Sequence, residues 1–125
     1  MTVAYWTVLV AFALPYLFTL LAKSQSSYNN RAPRVYLDRV EGWRQRAHWV
    51  QLNSFEAAPP FAAAVIIAHQ LGADQGTLNG LAGLWVALRL AYGAAYLADI
   101  HWVRSLIWFG ATGCTAGIFA LAAFG

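Results

Sequence analysis

The sequence predicts an all-α fold, a bundle of four membrane-spanning helices forming a single domain over residues 1–125. Three observations carry that expectation. The chain is 60% hydrophobic and only 10% charged, with a mean hydropathy of +0.50, too apolar for a soluble domain of this size to clothe itself in polar surface. Its apolar residues gather into four runs, about 2–22, 47–71, 77–98 and 102–124, each near the ~20 residues that cross a bilayer as helix. The connections between runs are short apart from the first, which leaves no room for a soluble domain.

The first run, "MTVAYWTVLVAFALPYLFTLLA", has no basic segment ahead of it, since Lys23 follows the apolar stretch. It is also longer than the apolar region of a secretory signal, so it reads as a true first span. The connection after it sets orientation. Lys23, Arg31, Arg34, Arg39, Arg44 and Arg46 lie there against Asp38 and Glu41, whereas the second connection, "HQLGADQG", has neither Lys nor Arg. Basic loops stay cytoplasmic, so the first and third connections are expected inside and both termini outside. Tyr28, Trp43, Trp49 and Trp102 fall where interfacial aromatics belong. Contact with lipid phosphates accounts for the basic loop; an anionic small molecule arriving from the cytoplasm is the other reading.

The second run contains a contradiction. "WVQLNSFEAAPPFAAAV" has the composition of a span, yet carries Asn53, Glu56 and the pair Pro59–Pro60. At 1.5 Å of rise per residue, Glu56 lies about 15 Å inside a boundary near Arg46. On the third run, Arg89 lies about 15 Å inside a boundary near Asp99. Two opposite charges thus reach one depth on antiparallel neighbours, and charges at that depth face protein and pair, so a Glu56–Arg89 ion pair is expected. Asn53 matches Tyr92 in depth, and Trp49 matches Tyr96. Arg46, Trp49, Asn53, Glu56 and Pro60 follow helical spacings of three and four, as do Arg89, Tyr92 and Tyr96. The two stripes would face each other as a polar column, serving either as glue between helices or as a site. Pro59 and Pro60 lack the N–H groups that the carbonyls of Phe55 and Glu56 would otherwise receive, which predicts a kink near Glu56.

These residues resemble a known family. "RAHWVQLNSFEAAPPF" is similar to the signature of the MAPEG family, the membrane-associated proteins in eicosanoid and glutathione metabolism, through Arg46, Ala47, Asn53, Glu56, Pro59 or Pro60, and Phe61. "LRLAYGAAYL" is similar to its third helix through Arg89, Tyr92 and Tyr96, and "VRSLIW" to the start of its fourth through Arg104. The resemblance implies a homotrimer in a membrane, of the bacterial inner-membrane type, with glutathione as co-substrate bound between protomers near the cytoplasmic side. It implies that Asn53 and Glu56 bind the tripeptide with Glu56 near its amino end, that Arg89 supports Glu56, and that Tyr92 and Tyr96 line the pocket. It places Arg46 among the binding residues and Arg104, the catalytic candidate, beside the thiol. Guanidinium groups suit the two carboxylates of glutathione, and a thiol beside one ionises more readily. Two departures stand out: Trp49 occupies a position where the family places an Arg, and Trp108 is the aromatic following Arg104 where a Tyr is usual.

The remaining candidates read as structural. Cys114 is the sole cysteine and sits inside the fourth run; His48, His69 and His101 share no metal-ligand spacing, so no metal site is expected. Gly113 and Gly117 form a GxxxG pair, as expected where helices pack closely. No nucleic-acid motif occurs. The implied function is a glutathione-dependent transferase or peroxidase acting on lipophilic small-molecule electrophiles that enter from the surrounding lipid. Its rivals are a non-catalytic scaffold or small-molecule-binding protein with the same fold, and a small multidrug-type transporter, which would carry its essential Glu in a first helix that has no charge here.

Overall fold

A computed structural model describes residues 1–125 and contains five helices: α1 (Val3–Ala22), α2 (Pro33–Arg39), α3 (Trp43–Gln70), α4 (Gln75–Leu97) and α5 (His101–Phe124). Four long helices were expected, and these are α1, α3, α4 and α5. The short α2 lies in what reads from sequence as an irregular connection. Pro33 opens it with a preset φ, and Leu37 supplies its one buried side chain, packed with Ala22 and Ala47. Three helices, α1, α4 and α5, are long and apolar enough to cross a membrane. α3 has 28 residues, about 42 Å of helix, but its Arg, Gln, Asn, Glu and His residues make it less apolar than the others.

Each helix end has a local cause. Thr2 begins α1 by accepting the Tyr5 N–H at 3.1 Å. At its other end the Tyr36 hydroxyl donates to the Ala22 carbonyl at 2.9 Å, while Arg44 donates to the Ser24 carbonyl at 3.2 Å, tying the basic connection to the end of α1. α3 begins after Gly42 at φ +66° and runs unbroken through Pro59 and Pro60. It closes in a Schellman motif: Gly72 adopts φ +72°, the Ala73 N–H reaches the Ala68 carbonyl, and the Gly72 N–H reaches that of His69. α4 ends in the same way with Asp99 at φ +61°, the Ile100 N–H on Ala95 and the Asp99 N–H on Tyr96. Asp74 starts α4 by accepting the backbone and hydroxyl hydrogens of Thr77 at 2.9 and 2.7 Å.

Packing pairs α1 with α3 and α4 with α5, and α3 also contacts α4 and α5. The main apolar cluster centres on Phe61 stacked against Trp85, ring centroids 3.9 Å apart, with Ala64, Val65, Leu78, Ala82 and Ile118 around it. A second cluster of Phe18, Val50 and Tyr92 lies nearer the end of the bundle that carries the basic connection. The close helix approach is not at the GxxxG pair. A Cβ at Gly113 would meet nothing within 4 Å, and at Gly117 only a Leu81 methyl at 3.9 Å. At Gly93 a Cβ would overlap the Phe18 ring, so it is here, between α1 and α4, that glycine admits a neighbour.

Candidate functional site

Arg89 sits between the two apolar clusters, one turn from Trp85 and one from Tyr92, and is only 3% exposed. A charge so placed needs fixed partners. It finds them on α3: Nη2 donates to Asn53 Oδ1 at 2.7 Å and to Ser54 Oγ at 3.3 Å. The expected ion pair with Glu56 is not made within the chain. The guanidinium reaches back one turn of α3 instead, and Glu56 stays exposed with no partner of its own. Period and rise do not set how far the long Arg side chain leans along the helix.

From Arg89 the column runs towards the basic connection through two tyrosine rings to a second guanidinium. The Arg89 guanidinium lies 4.4 Å from the Tyr92 ring centroid. Tyr92 meets Tyr96 edge-on at 5.7 Å, and the Arg104 guanidinium covers Tyr96 at 4.4 Å. Both cations lie over aromatic faces, an attraction that grows where water is excluded. Trp49 stands 6.3 Å from Tyr96, in the register the depths predicted. Arg46 is turned away from the column. Its Nε and Nη2 both donate to the Leu97 carbonyl, at 3.2 and 3.1 Å, closing the last turn of α4.

Three adjoining cavities follow these residues. A cleft of about 410 Å³ is lined by Trp49, Leu52, Asn53, Glu56, Tyr92 and Tyr96. A second, about 250 Å³, adds Arg104, Ser105, Trp108 and Phe109. A deeper one, about 180 Å³, lies among Glu56, Pro60, Trp85, Arg89, Trp108, Thr112 and Thr115. Asn53 lines all three, and Trp108 lines the second and third. Six of the seven sequence-predicted site residues, Asn53, Glu56, Arg89, Tyr92, Tyr96 and Arg104, therefore line these three adjoining cavities, and Arg46 lines none of them. Sequence reasoning missed Ser54, Trp85, Thr112 and Thr115. Periodicity offered a signal for three of them. Trp85 is four residues before Arg89 on α4, and Trp108, Thr112 and Thr115 continue the Arg104 stripe at helical spacing.

No group of three His, Cys, Asp or Glu side chains comes together closely enough to hold a metal ion. Cys114 is buried in the main apolar cluster. Comparison with curated proteins found no match, and neither did comparison with solved structures. A profile of the MAPEG family matches residues 3–124, a span that takes in every residue of the column. That family comprises glutathione-related membrane enzymes, and its fold agrees with a helical bundle in which three helices are apolar enough to cross a bilayer. The chain is an integral, multi-pass membrane protein and belongs to the MAPEG family.

Proposed function

We propose that the protein is a glutathione-dependent membrane transferase or peroxidase, working as a homotrimer with glutathione bound near the cytoplasmic side between protomers. The observation that carries this reading is the Arg104–Tyr96–Tyr92–Arg89–Asn53 column, which lines three adjoining cavities. Glutathione brings an ammonium, two carboxylates and a thiol. Glu56, left without a partner in its own chain, is the group for the ammonium. Asn53 is held by Arg89 with its amide group oriented, so it presents an amide N–H to a carboxylate without reordering. Arg104, half-buried over Tyr96, is the cation beside which a thiol ionises, and the thiolate is the nucleophile in both reactions. Four membrane spans, with α3 crossing as well, and both termini outside the cytoplasm belong to the same reading.

A second reading, a scaffold that keeps the fold without the chemistry, is favoured by one observation. Trp49 occupies the family's Arg position, and the nearby Arg46 is engaged on the Leu97 carbonyl. Titration of the purified protein with glutathione, following thiolate absorbance, separates the two. Saturable formation of bound thiolate supports the enzyme; no binding supports the scaffold. Within the enzyme reading, Arg104→Ala lowers kcat far more than it weakens glutathione binding, because its charge acts on the thiolate. Arg46→Ala raises KM at nearly constant kcat, as loss of uniform binding does. Equal small effects from both would reduce Arg104 to an interfacial anchor.

A further inference from the structure

A pocket of about 290 Å³ lies at the basic connection, and none of its residues lines the three cavities of the column. Its level in the membrane follows from α1. The 20 residues of that helix rise about 30 Å, the thickness of the hydrocarbon core, so Ala22 ends at its edge. α2 rests on that end through Leu37, packed with Ala22 and Ala47. The pocket is lined by Val35, Tyr36 and Arg39 of α2 and by Gln25, Ser27 and Asn29 of the segment before it. That places it at the level of the lipid headgroups. Its hydrogen bonds leave a distinct set of groups for a ligand. Asn29 Oδ1 accepts the Arg31 backbone N–H at 3.0 Å, and Gln25 Oε1 accepts the Ser27 hydroxyl at 3.1 Å. With both oxygens taken up inside the segment, the N–H ends of the two amides are free. Arg39 is exposed and makes no bond within the chain, whereas Arg44 is bonded to Ser24 and lies over Trp43. No carboxylate lines the pocket, since Asp38 and Glu41 lie outside it. Guanidinium and amide N–H groups without a carboxylate among them suit a phosphate and offer nothing to an ammonium. Val35, 48% exposed, supplies an apolar wall. The space has room for about ten water-sized groups, which suits a phosphate with a glycerol attached.

We propose that this pocket binds the headgroup of an anionic phospholipid whose phosphate carries an uncharged, hydroxylated substituent, phosphatidylglycerol being the simplest case. The Arg39 guanidinium and the amide N–H groups of Gln25 and Asn29 hold the phosphate oxygens. Ser27 and Tyr36 have given their hydroxyl hydrogens to Gln25 and to the Ala22 carbonyl, so their oxygens accept from the glycerol hydroxyls. The ester end of the lipid leaves past Val35 towards the hydrocarbon. Phosphatidylethanolamine brings an ammonium to a guanidinium and finds no carboxylate, so the same groups that admit one headgroup disfavour the other. A soluble phosphate ester has the same chemistry. The lipid is favoured because it is already concentrated at the level where the pocket lies.

The test is native mass spectrometry of the full chain released from detergent, titrated with phosphatidylglycerol or phosphatidylethanolamine of identical acyl chains. Phosphatidylglycerol should bind at least about tenfold more tightly, the scale of a charge-assisted hydrogen bond gained or lost. Arg39→Gln should abolish that preference. Arg34→Gln removes an equally exposed arginine of α2 that does not line the pocket, and should change the affinity less than about twofold. Val35→Trp fills the pocket with every charge retained, and should also abolish the preference. All three side chains are exposed, so the variants should match the wild type in unfolding temperature without lipid, which separates loss of the site from loss of the fold. Equal losses from Arg39→Gln and Arg34→Gln would mean that diffuse charge holds the lipid, and would overturn the inference. Binding that ignores the headgroup, or a preference that survives Val35→Trp, overturns it as well. Glycerol 3-phosphate is the soluble competitor. If it displaces the lipid at comparable concentration, the ligand is a soluble phosphate ester and the lipid assignment fails.

Discussion

Arg89 shows how a single buried charge organises its surroundings, and its partners lead to different expectations for two substitutions that a Glu56–Arg89 pair would have made equivalent. Arg89→Leu removes the donor from half-buried Asn53 and buried Ser54 and leaves both polar groups on α3 without that partner. The cost is about 1–3 kcal/mol for each acceptor so stranded, read as a lower unfolding temperature in detergent. Glu56→Gln touches no bond within the chain, so its effect is confined to the assembled protein and to glutathione binding. Equal losses of stability in the dispersed single chain would mean that Glu56 and Arg89 are paired after all. Sequence periodicity located this column because period and rise alone fix depth and face, and Trp49 beside Tyr96 is their direct result. The partners of Arg89 were not legible in the same way. Asn53, Ser54 and Glu56 all lie within one turn of α3, and a guanidinium on a flexible stem can lean to any of them.

Among the helices, the ends carry the clearest consequences. Gly72 and Asp99 close α3 and α4 with the same motif and the same left-handed backbone, but only glycine adopts that conformation without steric cost. Asp99→Gly is therefore expected to raise stability by up to about 1 kcal/mol, measured as a higher unfolding temperature at constant pH. At the start of α4, the Asp74 carboxyl is held below its ordinary value of 3.8 by the Thr77 hydroxyl first and the Thr77 backbone N–H second. A lowered pKa in the folded state adds stability that is present above the ordinary value and is lost as pH falls through the lowered one. The stability gap between the wild type and Asp74→Ala should thus be widest at neutral pH and narrow below about pH 4. A gap independent of pH would place the cap's contribution in its shape alone. The long helices were readable because their apolar runs are long. The seven-residue α2 was not, since one proline and one buried leucine leave little periodicity to detect.

At the scale of the whole molecule, one face of α3 remains to be explained. Trp49, Leu52, Phe55, Glu56, Pro59 and Pro60 are all exposed in the single chain. A carboxylate on such a face would meet lipid near mid-depth if nothing covered it, at a cost of about 2.5–3.5 kcal/mol on the insertion scale for a central charged residue. A neighbouring protomer offers Glu56 protein and ligand instead of hydrocarbon, which is the physical argument for an assembly built around α3. Cysteine cross-linking tests it cleanly because Cys114 is the sole native thiol and is buried. In a Cys114→Ser background, Leu52→Cys on α3, 46% exposed, should form intermolecular disulfides in native membranes under mild oxidation. Leu20→Cys on α1 is more exposed, at 69%, yet should not, because its face is turned to lipid. The reverse pattern would put α1 at the interface and leave Glu56 towards lipid, and the glutathione site could not then lie along α3. The Leu52→Cys product also reports stoichiometry. A single thiol per protomer joins protomers only in pairs, so a trimer yields at most one cross-linked dimer and one free protomer per assembly, about two-thirds conversion by arithmetic. An isologous dimer could go to completion. Conversion that stops near two-thirds, with native mass spectrometry giving three copies, would place α3 around a threefold axis with Glu56 facing the neighbouring subunit.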